Sequence, residues 1–235
     1  MRVGSGVLVA DLLNYVLAKG YGGLEWAGGL PGTVGGAIEG GVGCFGGEFK
    51  NLVRKVLAID LTSGEVKNFS QEECQFSYRN SFFRRNSNWL IVEAELEFEQ
   101  GVDKEWLKKV VEEKVKYRQE KHPIDYPNAG SIFKNYSFDQ APQFVKELAL
   151  EKKVLKTDPF PVIPVAFLIA EAGLKGKRIG DAEVSTKHSN FIINLGQATF
   201  NDVYQLIDFV KKSLADKFEI QVETEIRIID DKKIL

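Results

Sequence analysis

Fifteen of the 22 glycines fall within residues 1–47. Glycine serves where the backbone must take a positive φ or come close to another group, so this density marks a stretch shaped by backbone geometry. It is not a flexible spacer, because Leu24, Trp26, Leu30, Val34 and Ile38 interrupt it with groups that must be buried. Its densest part runs Gly28-Gly29-Leu30-Pro31-Gly32-Thr33-Val34-Gly35-Gly36-Ala37. Pro31 fixes φ and removes a donor, and the flanking glycines free the chain to bend around it. Successive exposed N–H groups in such a loop form a nest for an anion, typically a phosphate. The same glycines equally suit tight packing, and the residues alone leave both uses open. Neither standard nucleotide pattern is present: there is no Gly-x-x-x-x-Gly-Lys-Ser/Thr, and Gly4-x-Gly6 lacks a third glycine at position 9.

Around this stretch the hydrophobic periodicity predicts an α+β chain in two parts. Val9, Leu12, Leu13, Val16 and Leu17 lie on one face of a helix that Gly20 ends. Residues 52–60 and 66–69 flank Thr62-Ser63-Gly64-Glu65 as a hairpin, and 89–98 read as a strand with one wet face. The charged segment 103–120 predicts a connecting helix, with a boundary near 118–122 marked by His122. Beyond it, Pro164 opens a helix that Gly173 closes, 190–195 is a short apolar strand, and Thr199 with Asp202 forms a capping box. Alternation of Ile220, Val222, Thr224, Ile226 and Ile228 predicts a last strand over 220–229. The expected parts are 1–118, 119–219 and a terminal strand segment 220–235.

Lys+Arg 31 against Asp+Glu 33 gives no electrostatic footprint for nucleic acid or for a membrane surface. No apolar run approaches the roughly 20 residues of a membrane span. The two cysteines, Cys44 and Cys74, make neither a disulfide scaffold nor a cysteine-based zinc site. They read as small buried residues, and no metal is expected. A soluble, cytoplasmic protein is expected.

Four further strings accompany the glycine-rich region: Ser77-Tyr78-Arg79-Asn80-Ser81, Asn128-Ala129-Gly130-Ser131-Ile132-Phe133-Lys134-Asn135, Ile179 to Phe191, and Glu225-Ile226-Arg227. In this order, and with Gly43-Cys44-Phe45-Gly46-Gly47-Glu48, the chain resembles the UDP-N-acetylenolpyruvoylglucosamine reductase family over nearly its whole length. That resemblance implies an FAD-dependent, NADPH-supplied reduction of UDP-N-acetylglucosamine enolpyruvate in peptidoglycan synthesis. It implies part of an FAD-binding domain in 1–118 and a smaller substrate domain, of the shortened type, in 119–219. The terminal strand would return Glu225 to the active site.

By resemblance, Gly28, Gly29, Leu30, Pro31, Gly32, Thr33, Gly35, Gly36 and Ala37 hold FAD. Arg79 is the cation that grips the substrate carboxylate, Ser131 the proton donor, and Glu225 a carboxyl raised by burial that assists charge stabilisation. Tyr78, Lys134, Asn135 and His188 stand where the family contacts the UDP-sugar. Without the motifs these residues read differently. Arg79 beside Arg84 and Arg85 suggests a solvated face, Ser131 a turn serine, and Glu225 cross-strand pairing. Asn135 alone suggests capping, and His188 a structural histidine.

The chain departs from the pattern in two places. Around Gly40-Gly41-Val42-Gly43 the family shows Asn-Ala-Gly, so Gly41 removes an amide that could donate to the flavin region, and Met1 begins just after a preceding flavin-binding subdomain. The expectation is therefore a chain short of one subdomain, with apolar surface exposed near Val3 and Val7 and a tendency to self-associate in place of the family's monomer. A UDP-sugar-binding module without FAD, or a different flavoprotein of the same superfamily, are the alternatives.

Overall fold

A computed structural model describes residues 1–157, 160–230 and 233–234. The chain divides into two compact units, Met1–Arg118 and Gln119–Leu235. It is α+β throughout, as expected.

The first unit is built on a four-stranded antiparallel sheet. Its strands are β1 (Arg2–Gly4), β2 (Val53–Asp60), β3 (Val66–Ser70) and β4 (Trp89–Leu96), in the order β1-β4-β2-β3. Register puts Val3 opposite Ala94, Ala94 opposite Val56 and Val56 opposite Phe69. All four are buried, so one row of side chains crosses the sheet into the core. Strict alternation would expose either Val53 or Val56. A register shift between Val53 and Lys55 absorbs Arg54 as an extra residue, and both valines face inward. Arg54 instead pairs with Glu97 on the wet face.

Helix α1 (Val9–Lys19) packs Val9, Leu12, Leu13 and Val16 onto this core. It stops where sequence predicts, at Gly20 with φ 73°, whose N–H bonds back to the Leu17 and Val16 carbonyls. The glycine-rich stretch is not all loop: Val34–Glu39 is a short helix, α2, with Thr33 as its cap. Phe82–Arg85 forms a single turn, α3, and Lys104–Lys121 forms α4, whose Leu107 is buried. Val3 is a correction to the expected exposed patch. It is 8% exposed because it joins the sheet row, while Met1, Val7 and Leu8 remain exposed there.

The second unit has its own four-stranded antiparallel sheet. Its strands are β5 (Asn128–Ser131), β6 (Arg178–Ile179), β7 (Ala182–Val184) and β8 (Phe191–Asn194), in the order β6-β7-β8-β5. Helices α5 (Gln143–Glu151), α6 (Val165–Glu171) and α7 (Phe200–Phe218) cover its core. The predicted capping box is present: Asp202 N–H donates to Thr199 Oγ1 at 3.2 Å, and Thr199 N–H to Asp202 Oδ2 at 2.8 Å.

The strand expected over 220–229 does not form. Ile220 and Val222 are buried as the alternation requires, but among the described residues the segment pairs with other backbone only through one isolated bridge, Phe133 to Thr224, and at its end, where Ile229 pairs with Ile234. Alternation reports burial on one side, whereas a strand also needs a ladder partner along its length. Residues 231, 232 and 235 of the expected terminal segment lie outside the described residues.

Candidate functional site

In the first unit the glycine-rich loop splits into a packed part and an open part. A Cβ at Gly28 would lie 2.7 Å from the Val111 carbonyl of α4, and one at Gly35 would lie 2.8 Å from Ser5 Cβ. These two glycines exist for close packing. Gly29 and Gly32 take φ 72° and 104°, and a Cβ at Gly32 would meet nothing within 4 Å. Pro31, Gly32 and Gly36 are exposed, and among the described residues the amides of Gly29, Gly32 and Thr33 find no protein acceptor. Thr33 Oγ1 accepts from Gly36 N–H, which fixes the start of α2. The open face of the loop is therefore a set of outward N–H groups on a fixed backbone, suited to an anion.

Arg118, which sequence reasoning missed, pins this loop from α4. Its Nε donates to the Gly28 carbonyl at 2.9 Å and its Nη2 to Cys44 Sγ at 3.1 Å. In sequence it is one basic residue of a charged helix, and nothing distinguishes it from its neighbours. Cys44 is half-buried, not the small core residue expected. Burial pushes its thiol up, against the opposing pull of Arg118, Arg79 and Lys114. Cys74 is buried, and desolvation pushes it up to about 12, with Glu73 and Glu72 adding to the shift.

Arg79 stands at the tip of a tight turn in which the Ser77 and Asn80 backbones bond to each other at 3.1 and 3.0 Å. It holds φ 54°, a left-handed conformation unusual for a non-glycine residue, and its guanidinium lies 5.0 Å from the Tyr78 ring centroid. Of its two arginine neighbours, Arg84 is half-buried and Arg85 is exposed, and both have protein partners. Arg84 pairs with Glu39 at 3.7 Å, and Arg85 Nη2 donates to the Gln75 side chain at 2.9 Å. Gly41, the departure from the family pattern, has φ 56°, and a Cβ there would lie 2.7 Å from the Asn80 carbonyl. It lets the Arg79 turn sit against α2's end. Ser81, fully buried, ties the same turn down by donating to the Glu39 carbonyl at 2.7 Å.

In the second unit Ser131 ends β5, half-buried and opposite Phe191. Gly130 before it takes φ 79°, and the bend is supported by its N–H donating to Asn128 Oδ1 at 2.9 Å. The next residues bring in the Glu225 segment. Glu225 N–H donates to the Ile132 carbonyl at 2.7 Å, and Lys134 N–H donates to the Glu223 carbonyl at 2.9 Å. Ser131 and Glu225 are thus fastened to one short stretch of chain. Lys134 Nζ pairs with Glu223 at 2.9 Å. Asn135 Oδ1 accepts from Val165 N–H at 3.3 Å and so caps α6, the use its residue type alone suggested.

His188 packs in a ring cluster with His122 and Phe191, at centroid distances of 5.4 and 4.8 Å. Its Nδ1 accepts from Asn190 N–H at 3.3 Å, which requires the neutral ring at that nitrogen. Burial holds its pKa below the ordinary 6.5, aided by the charges of Lys156 and Lys175. Below pH 6.5 the unfolded chain then takes up a proton that the folded chain resists. Stability from this ring is complete above that pH and is lost as pH falls toward the lower folded value. Melting temperatures from pH 7.5 to 5 are expected to fall more steeply for the wild type than for H188Q. Equal slopes would remove His188 from this role.

Among the described residues, no group of three His, Cys, Asp or Glu side chains is placed to hold a metal ion, and no helix is long and apolar enough to cross a membrane.

Residues 122–229 match the family model for the C-terminal domain of UDP-N-acetylenolpyruvoylglucosamine reductase. The reductase of that name from Anoxybacillus flavithermus is 36% identical over 232 residues, covering 99% of this chain and 68% of the relative. That from Caldanaerobacter subterraneus subsp. tengcongensis is 37% identical, covering 97% and 67%. The crystal structure of the Thermus caldophilus UDP-N-acetylenolpyruvylglucosamine reductase superposes with a TM-score of 0.73 at 28% identity, covering 96% of this chain and 71% of that one. The chain thus spans about two thirds of the length of these relatives, with both its units inside the match. It belongs to the UDP-N-acetylenolpyruvoylglucosamine reductase family.

Proposed function

We propose that this chain takes part in the reduction of UDP-N-acetylglucosamine enolpyruvate to UDP-N-acetylmuramate, a cytoplasmic step of cell-wall precursor synthesis, with FAD as cofactor and NADPH as electron donor. The loop 28–37 fits a flavin nucleotide's phosphates through its open face, where Gly29, Gly32 and Thr33 turn unclaimed amides outward. FAD, when bound, supplies the hydride taken from NADPH and delivered to the enol-ether methylene.

The chain's own residues handle the charge and the proton. Negative charge develops at the carbon beside the substrate carboxylate, and the Arg79 guanidinium binds that carboxylate bidentately, so the charge is stabilised by a preorganised group. Ser131 Oγ–H gives its proton to that carbon and recovers one from solvent. Glu225, in protonated form, adds a second donor to the same charge. Tyr78, Lys134, Asn135 and His188 contact the UDP-sugar, His188 through Nε2 since its Nδ1 is engaged by Asn190. The observation that most supports this assignment is the Glu225 N–H bond to Ile132, which ties the proposed proton donor and its assisting carboxyl to one stretch of backbone.

Reconstitution with excess FAD is expected to give a protein-bound flavin spectrum, which NADPH bleaches, with NADPH oxidised beyond that single turnover only when the enolpyruvyl sugar is present. No bound flavin would sink the oxidoreductase assignment and leave UDP-sugar binding alone. Turnover with other acceptors but not this sugar would move the chain to another activity of the flavoprotein superfamily.

A further inference from the structure

Asn190 is buried, 4% exposed, and lies in a turn whose residue types alone give it no task. Both polar atoms of its side chain are engaged. Oδ1 accepts from Phe133 N–H at 3.0 Å and Nδ2 donates to the Phe133 carbonyl at 2.8 Å, so the amide pairs with one residue as a strand neighbour would. Its own carbonyl accepts from Ile132 N–H at 2.8 Å. Regular pairing of β5 with β8 ends at Ser131 opposite Phe191, and the Asn190 side chain continues the ladder past that point. On the far side of the same stretch, Glu225 N–H and the Glu223 carbonyl hold Ile132 and Lys134. Asn190 is itself fixed: His188 Nδ1 takes its N–H, and Ser189 before it donates to the Ala166 carbonyl.

We infer that Asn190 is a positioning residue for the proton-transfer step: its amide fixes the 132–134 backbone, and through it the placement of Ser131 Oγ relative to Glu225. This rests on the proposed roles of Ser131 and Glu225. A misplacement near 1 Å at a reacting group costs about 10²-fold in rate, so a residue that never touches substrate governs the step through backbone geometry.

Asn190→Asp tests the idea with little change in shape. The carboxylate still accepts from Phe133 N–H but repels the Phe133 carbonyl to which the amide donated. In the flavin-loaded protein, N190D is expected to lower the rate of enolpyruvyl-sugar reduction by about 10²-fold. NADPH-driven flavin reduction should stay within about twofold, since that half-reaction does not need the proton. The solvent deuterium isotope effect on sugar reduction should rise, and activity should recover as pH falls and the carboxylic acid regains a donor. N190A should show the rate loss without that recovery; if it does not fold, N190D carries the comparison. In the cofactor-free protein, amide exchange at Phe133 and Glu225 should quicken by about tenfold or more in N190D. Wild-type kcat and isotope effect in N190D would overturn the inference, as would equal loss in both half-reactions. Unchanged amide exchange would overturn it too. A wild-type protein without sugar-dependent turnover would instead strike the proposed function, while the exchange measurement still judges the tether.

Discussion

Ser131→Ala is expected to leave NADPH-driven bleaching of the flavin unchanged and to slow its reoxidation by the enolpyruvyl sugar by about 10²–10⁴-fold, the range for loss of a positioned proton donor. The two halves separate because only the second places a proton on carbon. The fold should tolerate the change well. Ser131 is half-buried at a strand end, and the bend before it is held by Gly130 and Asn128, not by its hydroxyl. Stopped-flow absorbance of the flavin reads both halves in one preparation. Equal slowing of the two would remove Ser131 from proton transfer and point to a disturbed cofactor site.

The largest stability loss is expected at Phe69. Its ring is 2% exposed and sits 5.0, 5.1 and 4.9 Å from the rings of Phe82, Phe83 and Trp89, at the end of the buried row that crosses the first unit's sheet. Phe69→Ala removes the hub of that cluster. Lost transfer energy and the remaining cavity together predict about 3–5 kcal/mol of destabilisation. Trp26, Trp89 and Trp106 all lie in Met1–Arg118, so tryptophan fluorescence during urea unfolding reports this unit alone. A loss under about 1 kcal/mol would mean that the neighbouring rings close the cavity, as adaptable cores do.

Local signals made much of the fold legible before any coordinates. Gly20, the Thr199–Asp202 capping box and the hairpin around Thr62–Glu65 each follow from residues a few positions apart, where spacing alone states the geometry. The failures share a cause. Arg118 on Gly28 and Asn190 on Phe133 join residues far apart in sequence, and neither type is unusual where it stands. The segment after Ile220 failed in the opposite sense: Ile220 and Val222 are buried as the alternation requires, but among the described residues a neighbour runs beside it only around Thr224 and again at Ile229. The glycine excess carried two meanings at once. Gly28 and Gly35 answer to packing, whereas Gly29 and Gly32 answer to backbone shape, and composition counts them alike.

That division has a thermodynamic consequence for the loop. Its stem is held by Arg118 and by close contact with α4, and its far end by the Thr33 cap, before any ligand arrives. A glycine-rich segment ordinarily surrenders much conformational entropy when it closes on a ligand, and affinity falls accordingly. Here most of that ordering has already taken place during folding. An anion meeting these amides meets a surface that hardly needs to change, and the free energy of its contacts goes almost entirely into holding it.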